Sequence, residues 1–387
     1  MNRRTSLMLI ICCALPVLLV LAVLFTGQKD VSDAENRTLR RYPAFSLKSF
    51  LDGTFQADLE QALSDQYPYG PEIKSAVLDA QNTLTRAEGA LLGTGGDVYM
   101  EITAGYAHFA GDEHRIVEMP WAVGRDEARI AAAAEAFNHV AGVKKYVYFI
   151  RNSRAQDFTL TEAENTAVYD RMRAAYHADG YGCFAAADYE DFCRWFYQTD
   201  HHWNHRGADR GYREIMALLG RENEIRQPER EWTFDVVFNG SYARQTRELC
   251  ADERFGAYTY DLPRARVTLN GKKGTYGHAA LYEKNRFPTD ELRNHYAYYY
   301  GGDYGEIAVE GGGADGRLLI VADSYSNPLN LLLASHFEST YIIDLRYYEK
   351  DMGKPFDWDA YIAEHRIDTV LMLGDIALYA GAQEEGV

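Results

Sequence analysis

The chain has 387 residues, of which 47% are hydrophobic and 25% charged, with a formal net charge of −17. An acid excess of that size argues against a basic surface for nucleic acid, and against binding to anionic lipid away from any anchor. Five cysteines in such a length are too few for a disulfide-held scaffold.

The N-terminus opens with a short basic lead, Arg3 and Arg4, followed by nearly unbroken apolar residues from 7 to 25. A bilayer core needs about 20 such residues, so this segment reads as a membrane anchor with Arg3 and Arg4 left in the cytoplasm. Residues 23–28 offer no A-x-A exit site, which favours an uncleaved anchor over a signal peptide. Cys12 and Cys13 fall inside the span. Beyond it, residues 28–70 read as a polar stem with helical patches, and residues 76–92 as a helix ending near Gly93. The organisation expected is therefore an anchor over 1–27, a stem and helical segment over 28–115, and a catalytic domain over 116–387.

Within that domain Lys144 to Ile150 is an apolar strand, 162–178 a helix, and 204–219 a helix capped by Asn204 and stopped at Gly220. Then come a strand at 318–322, a helix from Pro328, a strand at 340–344, a helix around 357–365 and a strand at 369–373. Alternation of this kind predicts an α/β fold, a doubly wound, mainly parallel sheet with its site at the strand carboxyl ends. The Tyr- and Gly-rich stretch 227–313 shows no helical period and reads as β-rich loops inserted over the site. No repeat or heptad array is present. Of the three remaining cysteines, Cys183 and Cys193 are a candidate bridge or a pair of reduced thiols, and with Cys250 they make no C-x-x-C metal motif.

Two motifs carry chemistry. In Thr199-Asp200-His201-His202-Trp203-Asn204 the carboxylate and the second imidazole are two residues apart, a spacing that an extended segment places on one side. Asp200 could then hold Nδ1 of His202, leaving Nε2 to take a proton from a nucleophile. The candidate nucleophile is Ser324, directly after the apolar run 318–322 and Asp323, with Asn327 and Pro328 as cap and first residue of the next helix. Backbone N–H groups of that turn, and the positive end of the helix, would face a developing oxyanion. A plain turn with an N-cap is the alternative for Asp323-Ser324, as a structural cluster is for the histidine pair. Gly240 and Ser241, after an apolar-aromatic strand, are candidates for a second oxyanion donor, or for an ordinary turn. Arg346 and Tyr347, at another strand end, could hold an acidic or hydroxyl-rich sugar, or simply pack by their stems.

The Asp-His-His-Trp motif, the Asp323-Ser324-Tyr325 turn and the segment 341–348 resemble the bacterial DHHW family. Glu35-Asn36-Arg37-Thr38-Leu39 followed by Tyr42-Pro43, and Asp65-Gln66-Tyr67-Pro68, extend that resemblance over most of the chain. The family is similar to the SGNH-hydrolase-like domains of the alginate O-acetylation proteins, where an Asp-x-His-Trp motif and a distant serine supply a triad. The resemblance implies those roles for Asp200, His202 and Ser324. Tyr325 stands where the alginate proteins usually carry Phe.

Three function classes compete. The first is an extracytoplasmic esterase or O-acetyltransferase that uses Ser324 on a cell-surface or secreted polysaccharide and needs no cofactor. The resemblance implies a membrane O-acyltransferase partner as acetyl donor if the enzyme is a transferase. The second is a metal-dependent hydrolase using Asp200, His201 and His205, against which Asn204 as a helix cap argues. The third is a non-catalytic glycan-binding or scaffold module in envelope assembly.

Overall fold

The structure is a computed structural model. It describes residues 27–66 apart from 30 and 33–36, part of 76–87, and residues 99–381 apart from 104, 110, 121–126, 250–251 and 278–286. The apolar segment 7–25, Cys250 and most of the helix expected over 76–92 lie outside the described residues. Among those described, no helix is long and apolar enough to cross a membrane.

The chain divides into two compact units, residues 1–94 with 244–247, and residues 95–243 with 248–387. The first carries the helices Leu47–Leu51 and Thr54–Asp65. The second begins near 95 rather than at 116. The reason is the three-stranded sheet Tyr99–Thr103, Tyr106–Phe109 and Asp112–Glu118. Its last strand is tied to the loop that precedes the candidate triad, through Ile116 N–H to Gln198 O at 2.8 Å and Arg115 Nη1 to Tyr197 O at 2.7 Å.

Eight strands form the main sheet of the larger unit: β1 Lys144–Ile150, β2 Gly180–Phe184, β3 Arg266–Leu269, β4 Lys272–Lys273, β5 Glu306–Glu310, β6 Arg317–Ala322, β7 Ser339–Ile343 and β8 Thr369–Gly374. Their spatial order is β4-β3-β5-β7-β6-β8-β1-β2. The five strands from β7 to β2 pair in parallel, while β5, β3 and β4 add an antiparallel flank. Alternate residues of the central strands feed two cores. Tyr148, Leu318, Ile320 and Leu371 join one, and Val147, Phe149, Leu319, Val321 and Val370 the other. Burial on both faces explains why these strands are apolar without a polar alternation.

The antiparallel flank corrects the view of 227–313 as an insertion. Three of its short strands complete the main sheet. The hairpin Arg230–Val237 with Arg254–Thr259 and the helix His295–Tyr300 make up much of the remainder. The helix expected over 162–178 closes at Ala175. The helix expected from Pro328 begins only at Asn330, with Leu329 at its cap. Asn327 does not cap it: its side chain accepts from Tyr276 Oη at 2.9 Å and donates to Asp303 at 2.9 Å. Cys183 and Cys193 are free thiols.

Candidate active site

The Asp-His-His-Trp segment is shaped by its last residue. Trp203 is fully buried, and its indole lies against Gly211 so closely that a Cβ there would sit 2.6 Å from Trp203 Cζ3. Gly207 likewise leaves room for the Trp195 carbonyl. Both glycines belong to the helix His205–Leu218, whose first turn is capped by Asn204 Oδ1, accepting from the N–H groups of Arg206 and Gly207 at 3.0 Å. Backbone bonds from Asn204 N–H to Trp195 O (2.8 Å) and from Tyr197 N–H to His202 O (3.2 Å) close the loop between.

Inside that loop Asp200 Oδ1 accepts from the His202 backbone N–H at 3.0 Å and lies 2.6 Å from His202 Nδ1. The same-side placement of the two groups is thus made by a local turn, the side chain of Asp200 replacing a backbone carbonyl, where an extended segment was expected. Asp200 Oδ2 accepts from Ser241 N–H at 2.6 Å. A buried carboxylate needs such donors.

Ser324 opens a single helical turn, Ser324–Ser326, at the carboxyl end of β6. Its Oγ lies 2.8 Å from His202 Nε2. Asp200, His202 and Ser324 therefore form one continuous chain of hydrogen bonds. An ionised Asp200 accepting Nδ1–H fixes the tautomer in which Nε2 is bare toward the hydroxyl. Behind the chain, the Tyr296 ring stacks on His202 at 3.8 Å with a 14° tilt, and its hydroxyl donates to Ser324 O at 3.0 Å. Tyr296 went unnoticed in the sequence, hidden in the run His295-Tyr296-Ala297-Tyr298-Tyr299-Tyr300.

The remaining candidates are placed differently. The Gly240 N–H donates to Thr199 Oγ1 at 3.0 Å, so it is not a donor to substrate, and with Ser241 it serves the Asp200 loop instead. Arg346 grips Asp344 through Nε (3.0 Å) and Nη2 (2.7 Å), with its guanidinium over the Tyr347 ring at 5.3 Å. The turn's N–H groups at Tyr325, Ser326 and Asn327 are all taken up within the turn, by Asp323 Oδ1, Asp323 O and Ser324 O. The helix that follows is five residues long and starts six residues after Ser324, too short and too far to lend a dipole.

His205 turns away from the triad to Glu231, at 2.8 Å, so the metal set of Asp200, His201 and His205 is not brought together. Among the described residues the group with metal-ligating spacing is Asp200, His201 and His202. Both ring nitrogens of His202 are already engaged there, and His201 Nδ1 meets Ser241 Oγ at 2.8 Å. Burial, with the His202 ring beside it, pushes His201 well below its usual range and keeps it neutral.

A second polar layer underlies Ser324. Asn152 Nδ2 donates to Tyr325 Oη and to Asp375 Oδ2, both at 2.8 Å, and the Tyr325 hydroxyl donates to the His201 carbonyl. Asp375 N–H donates to Asp323 Oδ2 at 3.0 Å, and Arg154 pairs with Asp375 (3.3 Å) and Glu118 (2.7 Å). Asn152, Asp323, Asp344 and Asp375 each follow a parallel strand closely at its carboxyl end. That shared position is the signal by which the sequence could have revealed Asn152 and Asp375.

Burial and the neighbouring Asp375 push the Asp323 carboxyl up to about 8, and burial does the same for Glu253, to about 8. The native state therefore holds protons that the unfolded chain loses near pH 4. The stability these groups contribute is complete below that pH and is lost as pH rises to about 8. His201 works in the opposite sense, but its effect is complete above its ordinary value of 6.5. Between pH 6.5 and 8 the melting temperature should consequently fall, and Glu253→Gln should flatten the slope. A melting temperature that is level or rising across that window, measured by calorimetry, would contradict the protonated carboxyls.

The sheet order, the double core and the site at the strand carboxyl ends define an α/β fold with a mixed, mainly parallel eight-stranded sheet. Solved structures of similar fold include a DHHW family protein from Eubacterium siraeum, 17% identical, covering 74% of this chain and 96% of that one with a TM-score of 0.52. PatB1 of Bacillus cereus is 22% identical over 69% of this chain and 95% of its own (TM-score 0.53), and the same protein with a sulfonyl adduct is 20% identical over 73% and 96% (TM-score 0.51). The resemblance drawn from the motifs thus extends to the fold. No family model matches the sequence, and no curated protein matches it.

Proposed function

We propose that the chain is a serine esterase or O-acetyltransferase acting on a cell-surface or secreted polysaccharide, held at the membrane by residues 7–25 with its larger unit outside the cytoplasm. The observation that carries this reading is the unbroken chain Asp200 Oδ1, His202 Nδ1, His202 Nε2, Ser324 Oγ, at 2.6 and 2.8 Å. Ser324 Oγ attacks the acyl carbonyl as its proton passes to His202 Nε2. Asp200 stabilises the imidazolium that results. Collapse of the tetrahedral adduct breaks the ester bond, the departing alcohol takes the proton from His202, and the acyl group rests on Ser324. Water or a sugar hydroxyl, deprotonated by His202, then attacks that acyl ester and frees the serine. The oxyanion donor within the turn is the backbone N–H of Ser324 itself, since its successors are committed. A membrane O-acyltransferase supplies acetyl if the acceptor is a sugar.

The test is to give the protein an acetyl-ester reporter together with a panel of oligosaccharides, and to read free acetate against acetylated sugar by mass spectrometry. Turnover is expected, with acetylated sugar marking a transferase and acetate alone an esterase. Absence of turnover on every ester tried would overturn the reading in favour of a non-catalytic glycan-binding module.

A further inference from the structure

A cavity of about 900 Å³ lies in the larger unit, apart from Ser324, between the hairpin Arg230–Val237/Arg254–Thr259 and the antiparallel flank of the main sheet. That size falls in the range of ligand-binding clefts, which are mostly apolar with a few polar groups that orient the ligand. Its walls include Trp232, Tyr260 and Tyr276, with Arg230, Asp261 and Arg264 among its polar groups.

The aromatic rings are fixed from behind. Tyr260 Oη donates to Asp209 at 2.8 Å. Tyr276 Oη donates to Asn327 Oδ1 at 2.9 Å and accepts from Asn330 Nδ2 at 3.1 Å. Trp232 Nε1 donates to Thr259 Oγ1 at 3.4 Å, and the Arg230 guanidinium covers its ring at 3.5 Å from the centroid. With its hydroxyl spent on the protein, ring surface is what the half-buried Tyr260 has left to present beside Trp232, while the buried Tyr276 backs the floor. A ligand therefore meets preorganised platforms and need not order them.

We infer that this cavity is a second, non-catalytic binding site for a neutral oligosaccharide. A pyranose has apolar C–H faces that stack on aromatic rings and a rim of hydroxyls that seeks planar, bidentate partners such as Asp261 and Arg264. An alkyl ligand would leave those charged groups without use. The charge balance selects a neutral sugar: Arg230 and Arg264 are matched by Glu229 and Asp261, and the protein's net charge of −17 repels a polyanion. Through Tyr276 and Asn327 the cavity floor is joined to the turn that carries Ser324, so a chain held here is anchored on the same scaffold as the triad. Binding depends on these walls alone, not on the chemistry assigned to Ser324.

The experiment is saturation-transfer NMR and calorimetric titration of the intact chain with cellotetraose, maltotetraose, chitotetraose, tetragalacturonate and octanoate. The same titrations are made on Trp232→Ala, Ala265→Trp and Ser324→Ala. At least one neutral tetrasaccharide should bind, with tetragalacturonate at least tenfold weaker. Trp232→Ala and Ala265→Trp, the latter filling the cavity and covering any folding defect of the former, should each weaken binding at least tenfold while small-ester turnover is unchanged. Ser324→Ala should bind as the wild type does. Binding of no neutral sugar, equal or tighter binding of tetragalacturonate or octanoate, or wild-type affinity in both cavity variants would overturn the assignment. Loss of binding in Ser324→Ala would likewise overturn it, by placing the sugar at the triad.

Discussion

Replacing Ser324 or His202 with alanine should lower ester turnover on the order of 10⁴- to 10⁶-fold, and the double variant should be scarcely worse than either single one. Members of a triad act as a unit, so losing the nucleophile or the base forfeits nearly everything the set provides. Asp200→Ala should cost somewhat less, on the order of 10⁴-fold, because a His202 without its orienting partner still samples the working tautomer part of the time. His201→Ala is the internal comparison. Its ring is bonded to Ser241 Oγ, and its backbone carbonyl, which accepts from Tyr325, survives the substitution. Loss of the imidazole should cost about tenfold, the lower end of the range for an outer-layer partner, and far less than loss of His202. Steady-state kinetics on an acetyl-ester reporter, with circular dichroism to verify folding, checks the whole series. A dead His201→Ala beside an active His202→Ala would reassign the base.

Gly240→Ala is the other substitution expected to act strongly, although it removes no functional group. A Cβ at that position would lie 2.2 Å from Asp200 Cβ, 2.5 Å from Thr199 O and 2.6 Å from Asp200 Oδ2. None of these can yield without moving the loop. The Ser241 N–H bond to Asp200 breaks first, leaving a buried carboxylate short of a donor. Overpacking of this kind costs about 1–3 kcal/mol in stability. Displacement of Asp200 by an ångström should cost on the order of 10² in kcat/KM. Gly302→Ala, where a Cβ meets nothing within 4 Å, is the control and should be near neutral. A Gly240→Ala protein with wild-type melting temperature and kinetics would show that the loop does not hold Asp200 as described.

Much of the larger unit was legible because its central strands have no choice. Residues such as Leu318 to Val321 are buried on both faces, and only a continuous apolar run satisfies that. The helix His205–Leu218 announced both its ends, through Asn204 and Gly220, by ordinary capping chemistry. The pairing of Asp200 with His202 was legible from their closeness in the chain, although a local turn and not an extended segment makes it. The reach from His202 to Ser324 could not, since it depends on which strand ends the fold brings together. The flank strands were missed for a physical reason: Arg266–Leu269 and Lys272–Lys273 sit at the sheet's edge and bury little, so they lack the apolar signature of the centre. Tyr296 was missed because stacking on His202 is a tertiary fact, and a tyrosine in a tyrosine-rich run carries no mark of it. Gly240 was noticed as a glycine beside the site, but its use was misjudged. It gives space to Asp200 and passes its N–H to Thr199, and no local pattern distinguishes that from an oxyanion donor.

The central claim is that Ser324 Oγ is a nucleophile activated by His202. It is tested most directly by trapping. The intact chain is treated with an arylsulfonyl fluoride, and the modified residue is located by peptide mass spectrometry. Such reagents sulfonylate an activated serine hydroxyl with loss of fluoride, which makes this class a natural probe. The account predicts a single adduct on the peptide bearing Ser324, lost in Ser324→Ala and in His202→Ala. A chain that remains unmodified under conditions that label other serine esterases, or one labelled elsewhere and equally in both variants, would contradict it.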